Sequence, residues 1–70
     1  MTDIEELRKA YHSSGVDIDY ISNYMNRSRN RVILILSGAD LTVSEMILLS
    51  GALSLTKEQM DKIFLSYKVN

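Results

Sequence analysis

Asp17-Ile-Asp-Tyr-Ile-Ser-Asn-Tyr-Met-Asn-Arg-Ser-Arg-Asn-Arg-Val-Ile-Leu-Ile-Leu-Ser-Gly38 decides how this chain folds. Asp17 is a helix N-cap, its carboxylate placed to accept an orphan backbone N–H. Ile18, Ile21 and Met25 then recur at helical spacing and predict a helix over about Ile18 to Met25. Ser28 supplies a second cap and Gly38 a left-handed stop. Between them lies Val32-Ile33-Leu34-Ile35-Leu36, a run with the composition of a strand whose periodicity alone settles nothing. Helix is the better reading, because a strand here would have no partner elsewhere in the chain and a lone strand is unstable. Cap and stop frame a helix over about Arg29 to Ser37.

Working outward, the same start signals repeat. Thr2-x-x-Glu5, Thr42-x-x-Glu45 and Thr56-x-x-Gln59 read as capping boxes. Val16 with Ile21, Leu41 with Met46, and Leu55 with Met60 have the spacing of hydrophobic staples. No proline interrupts any segment. These signals predict a first helix over about Asp3 to Ser13, apolar at Ile4, Leu7 and Tyr11 and stopped by Gly15. A fourth covers about Val43 to Leu53 with Met46, Ile47, Ser50 and Leu53 on one stripe. A fifth covers about Lys57 to Tyr67 with Met60, Ile63, Phe64 and Tyr67 inward. The expectation is a compact all-α domain of five helices spanning residues 1–70.

Composition narrows the function. Seventy residues, 46% of them hydrophobic, allow one globular domain with a thin core. With Cys 0 and His12 the only histidine, no thiolate or imidazole metal cluster is available, and no cofactor site is apparent. The longest apolar run is far short of a membrane span, and the acidic start Met-Thr-Asp-Ile-Glu-Glu lacks a signal peptide's basic region. A cytoplasmic protein is therefore expected. No phosphate loop, His-Glu-x-x-His or nucleophile elbow is present. His12 as a general base is weaker than His12 as a solvated surface residue, and an enzyme acting on a small-molecule substrate is not expected.

Charge placement says more than the formal net charge of −1. Residues 1–26 hold five acids against two bases. Residues 27–38 hold Arg27, Arg29 and Arg31 with no acid, and residues 39–70 hold four acids against three bases. An anionic partner would be met at that single basic window.

The stretch from Asp17 to Gly38 resembles the helix-turn-helix of the phage Cro and repressor family (lambda repressor/Cro-like). The following Leu41-Thr-Val-Ser-Glu-Met-Ile-Leu-Leu-Ser-Gly-Ala-Leu-Ser-Leu-Thr-Lys-Glu-Gln-Met-Asp-Lys-Ile-Phe64 is similar to the last two helices of small Cro-like regulators from temperate phages of Gram-positive bacteria. The resemblance covers about residues 3 to 66. It implies that Ile21 and Ser22 take the apolar and small positions where the second helix meets the third, with Asn26 at the turn in place of the usual glycine. Ser28 then opens the recognition helix, and Val32 and Ile35 are its core positions. By the same resemblance Arg29, Asn30, Arg31 and Ile33 match positions that touch base edges, and Ser37 one that touches phosphate.

Departures from that pattern carry information. On a helical wheel Val32, Ile35 and Leu36 face the core, leaving Asn30, Ile33, Leu34 and Ser37 outward and flanked by Arg29 and Arg31. Two bulky aliphatics thus stand on the surface that would enter the major groove, where polar or small residues are commoner. The second helix turns Asp19, Tyr20, Asn23 and Tyr24 outward, and Asp17 with Asp19 is unhelpful against phosphate. Arg27 replaces an apolar turn residue. Tyr20, Tyr24, Ile33 and Leu34, ringed by Arg27, Arg29 and Arg31, describe an aromatic-aliphatic patch suited to a protein partner. The alternative lays Tyr20 and Tyr24 back over the first or last helix and half-buries Leu34.

Two functions follow, both within a phage lysis-lysogeny switch in the host bacterial cytoplasm. One is an antirepressor that grips the DNA-binding domain of the cognate phage repressor through its own helix-turn-helix face, as small proteins at the Cro position of temperate phages, lactococcal ones among them, do. The other is a Cro-like repressor that binds operator DNA directly. A weak homodimer burying the patch against a second copy is a more distant reading.

Overall fold

The computed structural model describes residues 2–65, and these form five helices and no strand. They are α1 (Ile4–Ser14), α2 (Ile18–Met25), α3 (Arg29–Leu36), α4 (Val43–Ala52) and α5 (Lys57–Ile63). Four of the expected caps form. Asp17 accepts the Tyr20 N–H at 2.8 Å and Ser28 the Arg31 N–H at 3.1 Å. Thr42 with Glu45 and Thr56 with Gln59 close complete capping boxes, each satisfying two orphan amides reciprocally.

The first cap differs from expectation. Asp3, not Thr2, caps α1, accepting the Glu6 N–H at 3.2 Å. The Asp3 N–H donates to the Ile63 carbonyl at 2.9 Å, tying the start of α1 to the end of α5. That tie carries Thr2 into the interior, where its Oγ1 finds no partner among the described residues.

Helix ends follow one chemistry. After α2, Asn26 sits left-handed at φ 53°, with Asn26 N–H bonded to Asn23 O and Arg27 N–H to Ser22 O. After α3, Gly38 at φ 108° allows the same pair of closing bonds, Gly38 N–H to Ile35 O and Ala39 N–H to Leu34 O. After α4, Ser54 at φ 52° repeats them, bonding to Gly51 O while Leu55 N–H reaches Ser50 O. All three are Schellman closures, which require a residue at positive φ. α5 ends at Ile63, short of the expected extent, and Phe64 leaves helical geometry at φ −113°. The inward placement expected of Tyr67 lies outside the described residues.

Leu7, Ile21, Met25, Val32, Ile35, Leu49 and Ile63 are the largest fully buried side chains. Ala10, Leu36, Leu41, Ala52, Leu53 and Phe64 complete the core, and Ile4, Tyr11, Val16, Ile18, Met46, Leu48 and Leu55 pack against it. α2 packs on α3 and α4, and α1 on α5 and α3. The Val32 to Leu36 run is helix, with Val32, Ile35 and Leu36 inward as the wheel predicts. Ile47 is a correction. The buried stripe of α4 runs through Glu45, Leu49, Ser50 and Ala52, and Ile47 is 64% exposed. Two residues from Leu49 is about 200° around a helix, so Ile47 falls on the far side.

Candidate functional site

The basic window does not present three free cations. Glu45, in the first turn of α4, is 3% exposed and turns its carboxylate toward α3. Arg31 meets it in a two-point fork, Nη2 to Oε1 at 2.8 Å and Nε to Oε2 at 3.0 Å. Arg31 Nη2 also donates to the Asp40 carbonyl at 2.8 Å. Arg27 Nε reaches Glu45 Oε2 at 3.3 Å, while its Nη1 lies 3.3 Å from the Met25 and Asn26 carbonyls at the end of α2. Glu45 Oε1 further accepts the Thr42 N–H at 3.0 Å. The Arg31 hydrogen bond is the largest cause holding the Glu45 carboxyl at about 2, with Thr42 and Arg27 assisting and burial opposing.

Arg29 is paired as well, its Nη1 meeting Asp19 Oδ1 across the α2–α3 junction. Arg29 thus stands exposed at the rim beside Asp19, while Arg27 and Arg31 are partly buried and share Glu45. Asp17, Asp19 and Glu45 balance all three, and the two helices together with the first turn of α4 carry no positive excess. Counter-charges near in space but distant in sequence cause this, Glu45 being 14 residues from Arg31 and 18 from Arg27.

The aromatic-aliphatic patch divides in two. Tyr20 lines a groove with Ala10, Ser13 and Ser14 of α1, Ala52 of α4 and Gln59 of α5. Tyr24 lies over Gly51 of α4, where an added Cβ would stand 3.0 Å from its Cζ. The two rings lie 6.0 Å apart, tilted by 34°. Tyr20 borders the first and last helices, as the alternative reading held, whereas Tyr24 lies on α4 instead, and each stays about half exposed.

Ile33 belongs to a different groove, between α1 and α3, lined by Arg8, Tyr11, His12, Ile18, Leu36 and Ser37. Ile18 and Tyr20 sit about 160° apart around α2, so the two grooves open on opposite sides of that helix. Ile33 at 44% and Leu34 at 52% exposure remain the apolar centre of the outward face of α3.

Other expected contact residues are placed as follows. Asn23 and Asn30 are exposed, with no side-chain hydrogen bond among the described residues, and are free to meet a partner. Ser28 is engaged as a cap. Ser37 donates its hydroxyl to the Ile33 carbonyl at 2.8 Å, which commits the proton a phosphate would have accepted. Arg8, outside the predicted set, has no ion-pair partner among the described residues and borders Ile33 in the α1–α3 groove.

Sequence reasoning missed Glu45 as the organiser of this face. The signal was present, because Glu45 is the only charged residue between Asp40 and Lys57 and so has no neighbour on its own helix to pair with. Among the described residues no group of three or more His, Cys, Asp or Glu side chains could hold a metal, and no helix is long and apolar enough to cross a membrane. No family model, no curated protein and no solved structure matches the chain.

Proposed function

We propose that α2 and α3 form a helix-turn-helix whose outer face binds a protein, namely the DNA-binding domain of a partner repressor in a phage genetic switch, and that the chain acts as an antirepressor. One observation carries the choice of protein over DNA: every arginine of the α2–α3 face is ion-paired, Arg29 with Asp19 and Arg27 and Arg31 with the one Glu45, while Ile33 and Leu34 stand exposed. DNA affinity derives largely from cations that displace phosphate counter-ions, and a cation already bound to a carboxylate contributes little. A desolvated aliphatic centre with a paired polar surround is the usual anatomy of a protein contact. Occlusion is the mechanism: the repressor surface that would meet DNA is covered.

Direct operator binding in the manner of Cro is the second reading. Asn30 favours it, because an exposed, uncommitted amide near the start of α3 suits adenine recognition.

The double variant Ile33→Asp with Leu34→Asp tests the choice of face. Both side chains are about half exposed, so the protein keeps its helical circular dichroism and loses repressor binding in a pull-down. Unfolding of the variant, or full retention of repressor binding, would contradict the assignment.

A further inference from the structure

Arg8 is the one arginine without an ion-pair partner among the described residues. Arg27, Arg29 and Arg31 are all paired, and Lys9 beside it meets Glu6 at 3.4 Å. Arg8 is exposed on α1 and borders the groove between α1 and α3. Ile18, Ile33 and Leu36 give that groove an aliphatic wall, and no acidic side chain among the described residues lines it. Ser37 stands at its edge with its hydroxyl proton already given to the Ile33 carbonyl. The groove is therefore apolar along its wall and cationic at one end. Its volume of about 280 Å³ suits one or two side chains better than a free small molecule, whose sites run to roughly 300–1,000 Å³.

We propose that this groove seats a segment of a partner protein carrying an aliphatic side chain beside a carboxylate, the aliphatic group against Ile18, Ile33 and Leu36 and the carboxylate on Arg8. The proposal rests on the assignment of α3 to a protein contact and names the chemistry which that contact selects. Charge complementarity chooses the occupant. A guanidinium with no internal partner takes a carboxylate in a two-point fork. A nucleic-acid phosphate would also answer the cation, but a sugar-phosphate chain leaves the aliphatic wall in water. A wholly aliphatic segment covers the wall and strips water from the guanidinium without replacing it. Adjacent side chains of the two kinds satisfy both halves of the groove. Ile33 belongs both to the groove and to the outward face of α3, so the seated segment is continuous with the contact on that face. Arg8 then acts as a specificity residue: it favours an acidic neighbour and rejects a basic one, a selection that the already paired arginines of α2 and α3 make less strongly.

Nitrogen-15 NMR titration of the full chain with capped tetrapeptides tests the groove without the repressor. The probes are acetyl-Leu-Glu-Leu-Glu-amide and its counterparts with Gln or Lys in place of Glu. The Glu peptide shifts amides around Arg8 and Ile33 and binds about two- to fivefold tighter than the Gln peptide, the range of one exposed ion pair. The Lys peptide binds most weakly. Arg8→Glu, with unchanged circular dichroism, inverts the order so that the Lys peptide binds best. Lys62→Glu, on α5, makes the same change of net charge and leaves the order as in the parent. No binding at millimolar peptide, equal binding of the Glu and Gln peptides, or an unchanged order in Arg8→Glu overturns the proposal. Inversion in Lys62→Glu overturns it too, because net charge and not the groove would then be selecting. A repressor pull-down separates this inference from the functional reading. Repressor retained by Arg8→Glu but lost by Ile33→Asp with Leu34→Asp overturns the groove and leaves the α3 face standing. A parent chain that retains no repressor while its peptide order is as expected overturns the antirepressor and supports the groove.

Discussion

Glu45 shows how one buried carboxylate redirects the chemistry of a surface. It accepts from Arg31, Arg27 and the Thr42 amide, so all of its charge is answered inside the fold. Replacing it with Gln leaves two guanidinium groups facing a neutral amide, and removal of one partner from a buried pair costs about 3–5 kcal/mol. Urea unfolding of Glu45→Gln is expected to show a loss of that order. In so small a domain, with total stability of roughly 5 kcal/mol, this populates the unfolded state near room temperature.

The acid response belongs to the same residue. The folded carboxyl titrates at about 2 against an ordinary value of 4.5, so its contribution is fully present above the ordinary value. Stability then falls as pH drops from about 4.5 through 2, by about 2–3 kcal/mol for this group, and Glu45→Gln lacks that component. Thermal melts across the window check both the direction and the missing component. Arg29 is the contrast: its pair with Asp19 is solvent-exposed on both sides, at 59% and 66%. Arg29→Ala is expected to change stability by no more than about 0.5 kcal/mol.

Within elements, local chemistry was legible and distant chemistry was not. The caps at Asp17, Ser28, Thr42 and Thr56 depend only on side chains reaching amides two or three positions on, and they form as expected. Thr2 lost its role to Asp3 because the Asp3 amide bonds to Ile63, near the other end of the described chain. Ile47 reads as core in any count of apolar residues. Its exposure follows from which side of α4 faces α2, a tertiary choice that seats Leu49 and Glu45 inward. The split of the tyrosines from Ile33 has the same origin.

One element-level consequence concerns the left-handed closures. Asn26 and Ser54 occupy the conformation that Gly38 adopts freely. A serine pays the larger steric cost there, so Ser54→Gly raises stability by about 0.5 kcal/mol net of the unfolded-state entropy glycine adds. Asn26→Gly gains less, because asparagine tolerates positive φ. Midpoints of chemical unfolding for the two variants order the effects.

At the scale of the molecule, the nearly neutral composition acquires a specific meaning. Each arginine of the basic window is ion-paired by those flanks, Arg29 with Asp19 from before it and Arg27 and Arg31 with the single Glu45 from after it, and the formal charge closes only when Asp17 is counted too. What remains outside is an aliphatic centre on α3 and an uncharged apolar line on α4. A chain of 70 residues has little interior to spare, and the exposed Ile33, Leu34, Val43 and Ile47 are core-quality residues held back from the core. The proposed contact with a protein rests on that distribution.

The most direct measurement is a gel shift on the operator of the proposed partner repressor at physiological salt, made with the purified chain alone, with that repressor alone, and with both. Binding of a repressor by an electroneutral face predicts no shift from the chain alone and release of the repressor from its operator when the chain is added. Tight, sequence-specific retardation by the chain alone would contradict it.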